Sequence, residues 1–248
     1  MTNNELRENT KKWPGLRDVN TGKDCSDMDL DNGIYLSAGI PKSMVDLCFP
    51  SKSQKGQKDA LWPLNMEQLD ICNVMYEMAM NREPKTLIVT GGNGTGKSYL
   101  GAALIHSLIK YLVCDTARYV NEGELLLRSQ SFEGNWFHQY TEICKFLVID
   151  EFGMTQWSPA DKRKIELILN TRYGKGYPTV LLTNRTPGEL FDTTGDKEPI
   201  LSAQLRSRYA SGERKRLTGY DMRRYKPQQV AGAPDWMLHS DDEADLPF

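Results

Sequence analysis

The chain has 248 residues, of which 39% are hydrophobic and 26% charged, and its formal net charge is −2 at pH 7. This length and apolar content suffice for one sizeable α/β core, and no stretch approaches the roughly 18 consecutive apolar residues of a membrane-spanning helix. The first 25 residues are polar and the five cysteines are scattered singly, so neither a signal peptide, a disulfide framework nor a structural zinc site is predicted, and we expect a cytoplasmic protein.

Composition divides the chain into three parts. Residues 1–35 are rich in Asn, Asp, Lys and Gly and predict a flexible N-terminal arm. Residues 36–226 predict the ordered core. It begins with a helix at about residues 65–80, whose predicted apolar stripe is Leu69, Cys72, Met75, Tyr76 and Ala79. Residues 227–248 predict a flexible linker followed by an acidic C-terminal tip.

An apolar strand at residues 86–90 runs directly into a glycine-rich loop. Residues 91–98 fit the pattern Gly-x-x-x-x-Gly-Lys-Ser; they are Gly91, Gly92, Asn93, Gly94, Thr95, Gly96, Lys97 and Ser98. In such a loop the backbone N–H groups converge on the phosphates of a nucleoside triphosphate, and the positive end of the following helix strengthens the field. We expect Lys97 to reach the β- and γ-phosphates and Ser98 to bind Mg²⁺. The predicted ligands are a nucleoside triphosphate and Mg²⁺; the resemblance given below implies that the nucleotide is ATP.

Two further buried strands end in polar side chains. Residues 146–149 lead into Asp150 and Glu151, and residues 178–183 lead into Asn184. We expect Asp150 to hold Mg²⁺ opposite Ser98, and Glu151 to orient and deprotonate the attacking water. Asn184 is a candidate sensor of the γ-phosphate. The alternative for the two acids is an exposed turn, but the glycine-rich phosphate-binding loop (P-loop) upstream favours hydrolysis of the bound nucleotide.

Helices alternate with these strands. One follows the P-loop, one begins near Glu122 after a short strand at 117–120, and Ser158-Pro159 begins another that ends near Gly174 and Gly176. Buried strands that alternate with helices predict an α/β fold with a parallel sheet. We therefore predict a three-layer α/β/α P-loop NTPase.

Three motifs, in this order, carry a family resemblance. They are Gly-Asn-Gly-Thr-Gly-Lys-Ser-Tyr-Leu, Leu-Val-Ile-Asp-Glu-Phe-Gly, and Asn-Thr-Arg-Tyr-Gly-Lys-Gly-Tyr-Pro-Thr-Val-Leu-Leu-Thr-Asn. With the lead-in Ala-Gly-Ile-Pro at 38–41, they resemble the AAA+ ATPases of the DnaC and DnaI type, the bacterial replicative-helicase loaders, and the related IstB transposition helpers. The resemblance covers about residues 36–225 and implies an AAA+ core without a separate helical lid.

The resemblance also implies roles for arginines and aromatic residues. Arg206 would be an arginine finger that reaches a neighbouring subunit's ATP, with Arg208 as the alternative, and Arg223 would sense the bound nucleotide. Because such a finger stabilises charge on the transferring phosphoryl group, we expect self-association through the ATP sites. Trp136 and Phe137 lie where the family contacts single-stranded DNA; the alternative is that they belong to the core.

A basic segment begins with the arginine helix and, by the same resemblance, leads into a last strand at about residues 217–223. Residues 206–226 contain eight Lys or Arg and two acidic residues, a net charge of +6. Interleaved tyrosines make it a candidate track for a nucleic-acid backbone with base stacking. The predicted DNA-binding cluster is Arg214, Lys215 and Arg216; a solvated basic helix is the alternative.

The chain ends in an acidic tip whose last residues are Asp245, Leu246, Pro247 and Phe248. It resembles the tip of bacterial single-stranded-DNA-binding proteins. The Phe248 ring and α-carboxylate would enter an apolar pocket with a basic rim, and the acids would steer the encounter. Proteins that recognise that tip are therefore expected partners. The alternatives are a solubilising tail and a tail that folds back on the basic segment.

These observations predict an ATP-dependent DNA replication protein. It would be a helicase loader that oligomerises on ATP, binds single-stranded DNA and delivers a replicative helicase, in a host or on a mobile element. Fewer than forty residues precede the core, which is less than such loaders usually carry for helicase binding. The alternatives are an IstB-like transposition helper and, from another class, a nucleotide-gated recruitment adaptor that docks through its tip.

Overall fold

A single parallel sheet organises the described part of the chain. The computed structural model describes residues 36–42, 44, 66–110, 114, 116–130, 135–191 and 199–218. The strands are β1 (Thr86–Gly91), β2 (Arg118–Asn121), β3 (Leu147–Asp150), β4 (Thr179–Thr183) and β5 (Glu213–Leu217). Their spatial order is β2-β3-β4-β1-β5, and neighbouring strands are parallel. The carboxyl ends of the strands therefore meet along one edge.

Helices pack on both faces of this sheet. They are α1 (Met66–Asn81), α2 (Lys97–Lys110), α3 (Glu122–Gln130), α4 (Trp136–His138, continued by a π-helical turn at Gln139–Ile143), α5 (Pro159–Lys175), α6 (Pro187–Phe191) and α7 (Ala203–Ala210). One buried cluster joins the sheet to α1 and α2, and the other joins it to α3, α5, α6 and α7. The predicted three-layer α/β/α architecture is confirmed. No helix of the described segments has the length and apolar content needed to cross a membrane.

The helix at 159–175 begins and ends as predicted, whereas the buried stripe of α1 differs from the prediction. Ser158 and Asp161 form a reciprocal cap at the start of α5, and Gly176 ends the helix with a φ of +66°. In α1 the predicted Met75 is fully buried, and the predicted Cys72 and Ala79 are half-buried against the same core cluster. The prediction omitted the fully buried Ile71 and Met78 and included the half-buried Tyr76. The side chain of Leu69 lies outside the described residues. The buried stripe differs because α1 packs on α2 as well as on the sheet.

The last strand lies earlier than the prediction of residues 217–223. β5 spans Glu213–Leu217, so the basic cluster of Arg214, Lys215 and Arg216 lies inside a strand. Its partner among the described residues is β1, which places β5 at the sheet edge. Edge strands tolerate charged side chains because one side of the strand faces solvent. The sequence of β5 therefore lacks the run of apolar residues that predicts the other strands.

The lead-in segment docks on the opposite edge of the sheet. Ala38 and Ile40 are buried, and the Ala38 carbonyl accepts the backbone N–H of Tyr119 in β2 at 2.8 Å. Gly39 lies so close to this strand that a Cβ would be 1.9 Å from the Tyr119 carbonyl oxygen. The lead-in thus belongs to the core. The predicted arm (1–35) and the chain after residue 218, with its predicted linker and tip, lie outside the described residues.

A buried arginine joins three parts of the α3–α5 side of the core. Arg172 of α5 is 0% exposed, and burial lowers its pKa. Its guanidinium donates to the carbonyls of Tyr140, Cys144 and Pro178 at 2.6 to 2.7 Å and to the Thr179 hydroxyl at 2.8 Å. The planar fork of arginine suits this set of divergent acceptors. Arg172 therefore fixes the π-helical turn against the start of β4.

We expect Arg172→Lys to destabilise the fold by about 3 kcal/mol, because a lysine ammonium cannot reach all four acceptors and leaves buried carbonyls without donors. Urea unfolding at constant m-value measures the loss. The matched control is Arg163→Lys, an exposed position on the same helix, which should stay within about 0.5 kcal/mol of the parent protein. Equal stability of the two variants would contradict the assigned role.

Candidate functional site

The glycine-rich loop lies between the end of β1 at Gly91 and the start of α2 at Lys97. Lys97 is 7% exposed, and its ammonium donates to the carbonyls of Gly91 at 2.9 Å and Gly92 at 2.7 Å. The Thr95 hydroxyl donates to the Gly92 carbonyl at 3.0 Å, and the buried Gln68 amide of α1 donates to the Thr95 carbonyl at 3.4 Å. The loop forms a braced cradle with a cation inside, next to a helix N-terminus, which suits a phosphate chain.

Asp150 ends β3 beside the start of α2. Its Oδ1 accepts the backbone N–H of Glu151 at 2.8 Å, and its Oδ2 accepts the hydroxyl of Tyr119 from β2. Burial, and then the nearby Asp150 charge, raise the pKa of Tyr119, so its hydroxyl keeps the proton that it donates. Hydroxyl and carboxylate oxygens are ligands that Mg²⁺ prefers, so Ser98 and Asp150 fit the predicted ion.

Glu151 stands one residue beyond the strand end, with its side chain exposed at the same edge. Its φ is +55°, in the left-handed region that non-glycine residues rarely adopt. The Asn121 side-chain amide, at the end of β2, donates to Glu151 Oε2 at 2.5 Å. Asn121 pairs with Asp150 in the sheet register, which places its amide beside both acids. The Glu151 carboxylate is therefore oriented by a neighbouring strand.

The loop after Glu151 is fixed from two directions. Glu122 at the start of α3 is fully buried and accepts the backbone N–H groups of Gly153 at 2.7 Å and Thr155 at 3.1 Å. Burial raises the pKa of the Glu122 carboxyl, whereas these N–H groups lower it. From the other side, the Thr183 hydroxyl donates to the Phe152 carbonyl at 2.6 Å. These contacts hold the backbone that forces Glu151 into its strained conformation.

Asn184 follows β4, the strand that lies between β3 and β1. Its amide donates to Asn93 Oδ1 of the glycine-rich loop at 2.6 Å. The topology therefore brings Asn184 to the P-loop, beside the strand that carries Asp150. The predicted role as a γ-phosphate sensor stays a prediction.

The two candidate finger arginines of α7 have different surroundings. The Arg208 guanidinium donates to Asn170 Oδ1 at 2.5 Å and lies 5.2 Å from the centre of the Tyr173 ring, so it is bound to α5. The Arg206 guanidinium is half-buried and donates to the Phe191 carbonyl at 2.9 Å.

Sequence comparison identifies the family of this nucleotide site. Residues 67–209, more than half of the chain, match the family described as IstB-like ATP binding protein. The chain belongs to this family. The IstB-like region contains the glycine-rich loop, the two acids and α7, and its ligand is ATP. Among curated proteins, none matches the chain by sequence.

Solved structures share the fold of this IstB-like chain. Domain III of the replication initiation protein DnaA from Thermotoga maritima has a TM-score of 0.51 and 17% identity over 65% of this chain and 67% of that chain. DnaI has a TM-score of 0.50 and 20% identity, covering 65% of this chain and 87% of that chain. A candidate primosome component from Streptococcus pyogenes has a TM-score of 0.52 and 16% identity, covering 77% of this chain and 98% of that chain. The chain spans 48% of AMPPCP-bound DnaA from Aquifex aeolicus. The predicted α/β/α P-loop NTPase fold is thereby confirmed.

The aromatic DNA-binding candidates of this IstB-like chain face its core. Trp136 and Phe137 are half-buried against the cluster of α3, α5, α6 and α7, and their rings meet edge to face with centroids 5.8 Å apart. This placement corresponds to the alternative that the sequence leaves open for them. A contact with single-stranded DNA at these rings stays a prediction.

The basic candidates are divided by the pleat of β5. Arg214 and Arg216 are exposed, and the Arg214 guanidinium lies 5.2 Å from the centre of the Phe191 ring. Lys215 points to the other face, where it forms a 2.7 Å ion pair with Asp70 of α1. Two of the three predicted phosphate-binding cations therefore share a solvent-exposed face, whereas the third is paired within the core domain.

The remaining predicted site residues lie outside the described residues. They are the nucleotide sensor Arg223 and the tip residues Asp245, Leu246, Pro247 and Phe248.

Three site residues, Tyr119, Asn121 and Glu122, were missed by reasoning from the sequence. They occupy one short segment at the end of β2, and its polar character after a strand was the available signal. Sequence order separates this segment from Asp150 by about thirty residues, and only the pairing of β2 with β3 brings them together.

Proposed function

We propose that this IstB-like protein is an ATPase that loads a replicative helicase onto single-stranded DNA. The observation that carries the ATPase part of the proposal is the Glu151 carboxylate, oriented by Asn121 at the same sheet edge as Lys97 and Asp150. A protein that only binds nucleotide needs no oriented carboxylate beside the phosphate cradle. The arrangement supports the proposal that Glu151 is a general base for hydrolysis.

In the proposed reaction each polar residue at the carboxyl ends of the strands has a distinct role. Lys97 offsets charge on the β- and γ-phosphates, and Glu151 accepts the proton of the attacking water. Asn184 contacts the water or the transferred phosphoryl group. Ser98 and Asp150 would hold Mg²⁺, which supplies charge neutralisation of the phosphate oxygens when bound.

Self-association through the ATP sites follows from the proposed arginine finger. We assign this role to Arg206, as the resemblance implies. Its guanidinium donates to the Phe191 carbonyl, whereas the Arg208 guanidinium has two partners, Asn170 and the Tyr173 ring. A guanidinium supplied by a neighbouring subunit makes hydrolysis depend on assembly. Arg223 would sense the nucleotide in the same subunit.

The replication role has two supports. The Streptococcus pyogenes protein described as a candidate primosome component is covered over 98% of its length, and DnaI over 87%. The motif resemblance to the loaders points to the same role. Exposed Arg214 and Arg216 supply cations for a DNA backbone, and the tip would recruit proteins that recognise the single-strand-binding protein.

A second candidate function is a transposition helper that marks target DNA. The family match to IstB-like proteins favours it as directly as the fold comparisons favour a loader. A third candidate is a nucleotide-gated adaptor that recruits partners through its acidic tip. The three candidates differ in the DNA that they bind, because a loader needs single strands, a target-marking helper needs duplex, and an adaptor needs neither.

A DNA-binding measurement separates them. We expect the Glu151→Gln protein with Mg·ATP to bind a fluorescent oligo-dT strand at least ten-fold more tightly than a duplex, by anisotropy. Affinity should fall steeply with salt, because phosphate contacts release condensed counterions. Replacing Arg214 and Arg216 by Ala should flatten the salt slope, that is, the dependence of DNA affinity on salt concentration. Lys215→Ala is the matched control and should leave this slope unchanged, because the Lys215 ammonium is paired with Asp70.

Tighter binding to duplex than to the single strand would contradict the loader hypothesis and support the transposition helper. No binding to either DNA, with ATP binding intact, would support the adaptor instead. A salt slope unaffected by the double substitution would remove β5 from the DNA interface.

A further inference from the structure

Tyr119 contacts one of the two residues that fit a magnesium ion. Its hydroxyl donates to Asp150 Oδ2. Asp150 is 5% exposed and Tyr119 is 4% exposed, so this bond is shielded from water. The hydroxyl therefore ties the end of β3 to β2, next to the carboxylate that would hold the ion.

The surrounding packing fixes the tyrosine ring. Tyr119 pairs with Val148 in the register of β2 and β3, two residues before the pair of Asn121 and Asp150. Because side chains alternate along strands, Tyr119 and Asp150 share the face under α2. At Gly101 of α2 a Cβ would lie 3.4 Å from Tyr119 Cε2 and 2.7 Å from Leu182 Cδ1. The glycine thus lets the helix pack closely over the ring.

The hydrogen bonds of Asp150 leave room for a metal. Its Oδ1 is held by the Glu151 backbone N–H, and its Oδ2 by Tyr119. Each carboxylate oxygen has two lone pairs, so one lone pair on each remains for a cation or its water. Donors of this kind orient metal ligands and commonly change metal affinity by 10- to 100-fold when they are removed.

We propose that Tyr119 is a positioning residue for the magnesium site, whose hydroxyl holds the Asp150 carboxylate in the orientation that receives the ion. The proposal rests on the proposed function, because it concerns the Mg²⁺ of the same ATP site. A tyrosine that only fills the core would serve as well without its hydroxyl. Tyr119→Phe removes that hydroxyl and keeps the ring.

The test follows Mg²⁺ binding rather than turnover. A fluorescent ATP analogue is bound to the full-length protein in EDTA, and Mg²⁺ is then titrated while the nucleotide affinity is measured. We expect Tyr119→Phe to leave the nucleotide affinity in EDTA unchanged. The Mg²⁺ midpoint, which is the Mg²⁺ concentration that gives half of the maximal increase in nucleotide affinity, should rise by about ten-fold or more. Thermal unfolding of each variant verifies that the fold is retained.

Tyr140→Phe is the matched control, because Tyr140 is also 4% exposed but belongs to the opposite core cluster. It should leave the Mg²⁺ midpoint unchanged. If Tyr119→Phe also leaves it unchanged while the parent protein responds to Mg²⁺, the positioning role is overturned and the proposed function stands. If the parent protein binds the nucleotide without any Mg²⁺ response, both proposals fail.

Discussion

Lys97→Ala is expected to abolish ATP binding at ordinary nucleotide concentrations. The Lys97 ammonium lies inside the phosphate cradle, where it is 7% exposed. Removing a buried cation from a charged partner costs about 2–5 kcal/mol, which corresponds to roughly 30-fold to several thousand-fold in Kd. Isothermal titration calorimetry with ATP measures the change.

The control for this variant is Lys85→Ala, which removes a lysine just before the opposite end of β1. It should bind ATP with the affinity of the parent protein. Thermal unfolding without nucleotide should show that Lys97→Ala is folded, although the Gly91 and Gly92 carbonyls lose a donor. ATP binding by a folded Lys97→Ala protein with unchanged Kd would remove this lysine from the phosphate site.

Glu151→Gln is expected to bind ATP as the parent protein does and to lose turnover by roughly 10² to 10⁴, the contribution of a general base. The glutamine oxygen still accepts the hydrogen bond of Asn121, so the local geometry is retained while the basic carboxylate is lost. Phosphate release under saturating ATP measures kcat, and titration of a fluorescent nucleotide measures Kd.

Glu124→Gln is the control, since Glu124 is a surface acid paired with Arg128 in α3. It should retain full activity. A loss of ATP affinity in Glu151→Gln equal to that in Lys97→Ala would mean that Glu151 binds nucleotide rather than activating water.

The same variant completes a test of the arginine finger. Arg206→Ala should be inactive alone, and mixing it with Glu151→Gln should restore activity, because each subunit then supplies the group that the other lacks. Arg208→Ala in place of Arg206→Ala is the matched comparison. Mixtures without recovered activity would place the finger elsewhere or remove it from the mechanism.

Much of the nucleotide site was predictable because its chemistry is local in sequence. Residues 91–98 form one continuous loop whose glycines, lysine and serine act through their own backbone and neighbours. The buried strands before Asp150 and Asn184 also give strong apolar signals, and their ends meet at one sheet edge in any parallel arrangement. The fold class followed from the same alternation of strands and helices.

Other features were not predictable because they depend on which elements become neighbours. The apolar stripe of α1 was predicted only in part: Met75 is buried as expected, but Ile71 and Met78 were omitted, because the helix packs on α2 as well as on the sheet. The strand at Glu213–Leu217 was placed too late because an edge strand can consist mainly of charged residues. In both cases local sequence patterns describe an element by itself, whereas its exposed and buried faces are decided by its partners.

The sequence by itself determined the phosphate loop, the two acids, the parallel α/β class and the membership of an ATP-binding family, because each is encoded in short continuous motifs. Only the tertiary structure decided that Tyr119 holds Asp150, that Asn121 holds Glu151 and that Glu122 fixes the loop between them. The physical reason is the register of β2 against β3. That pairing joins side chains about thirty residues apart, and no local pattern specifies it.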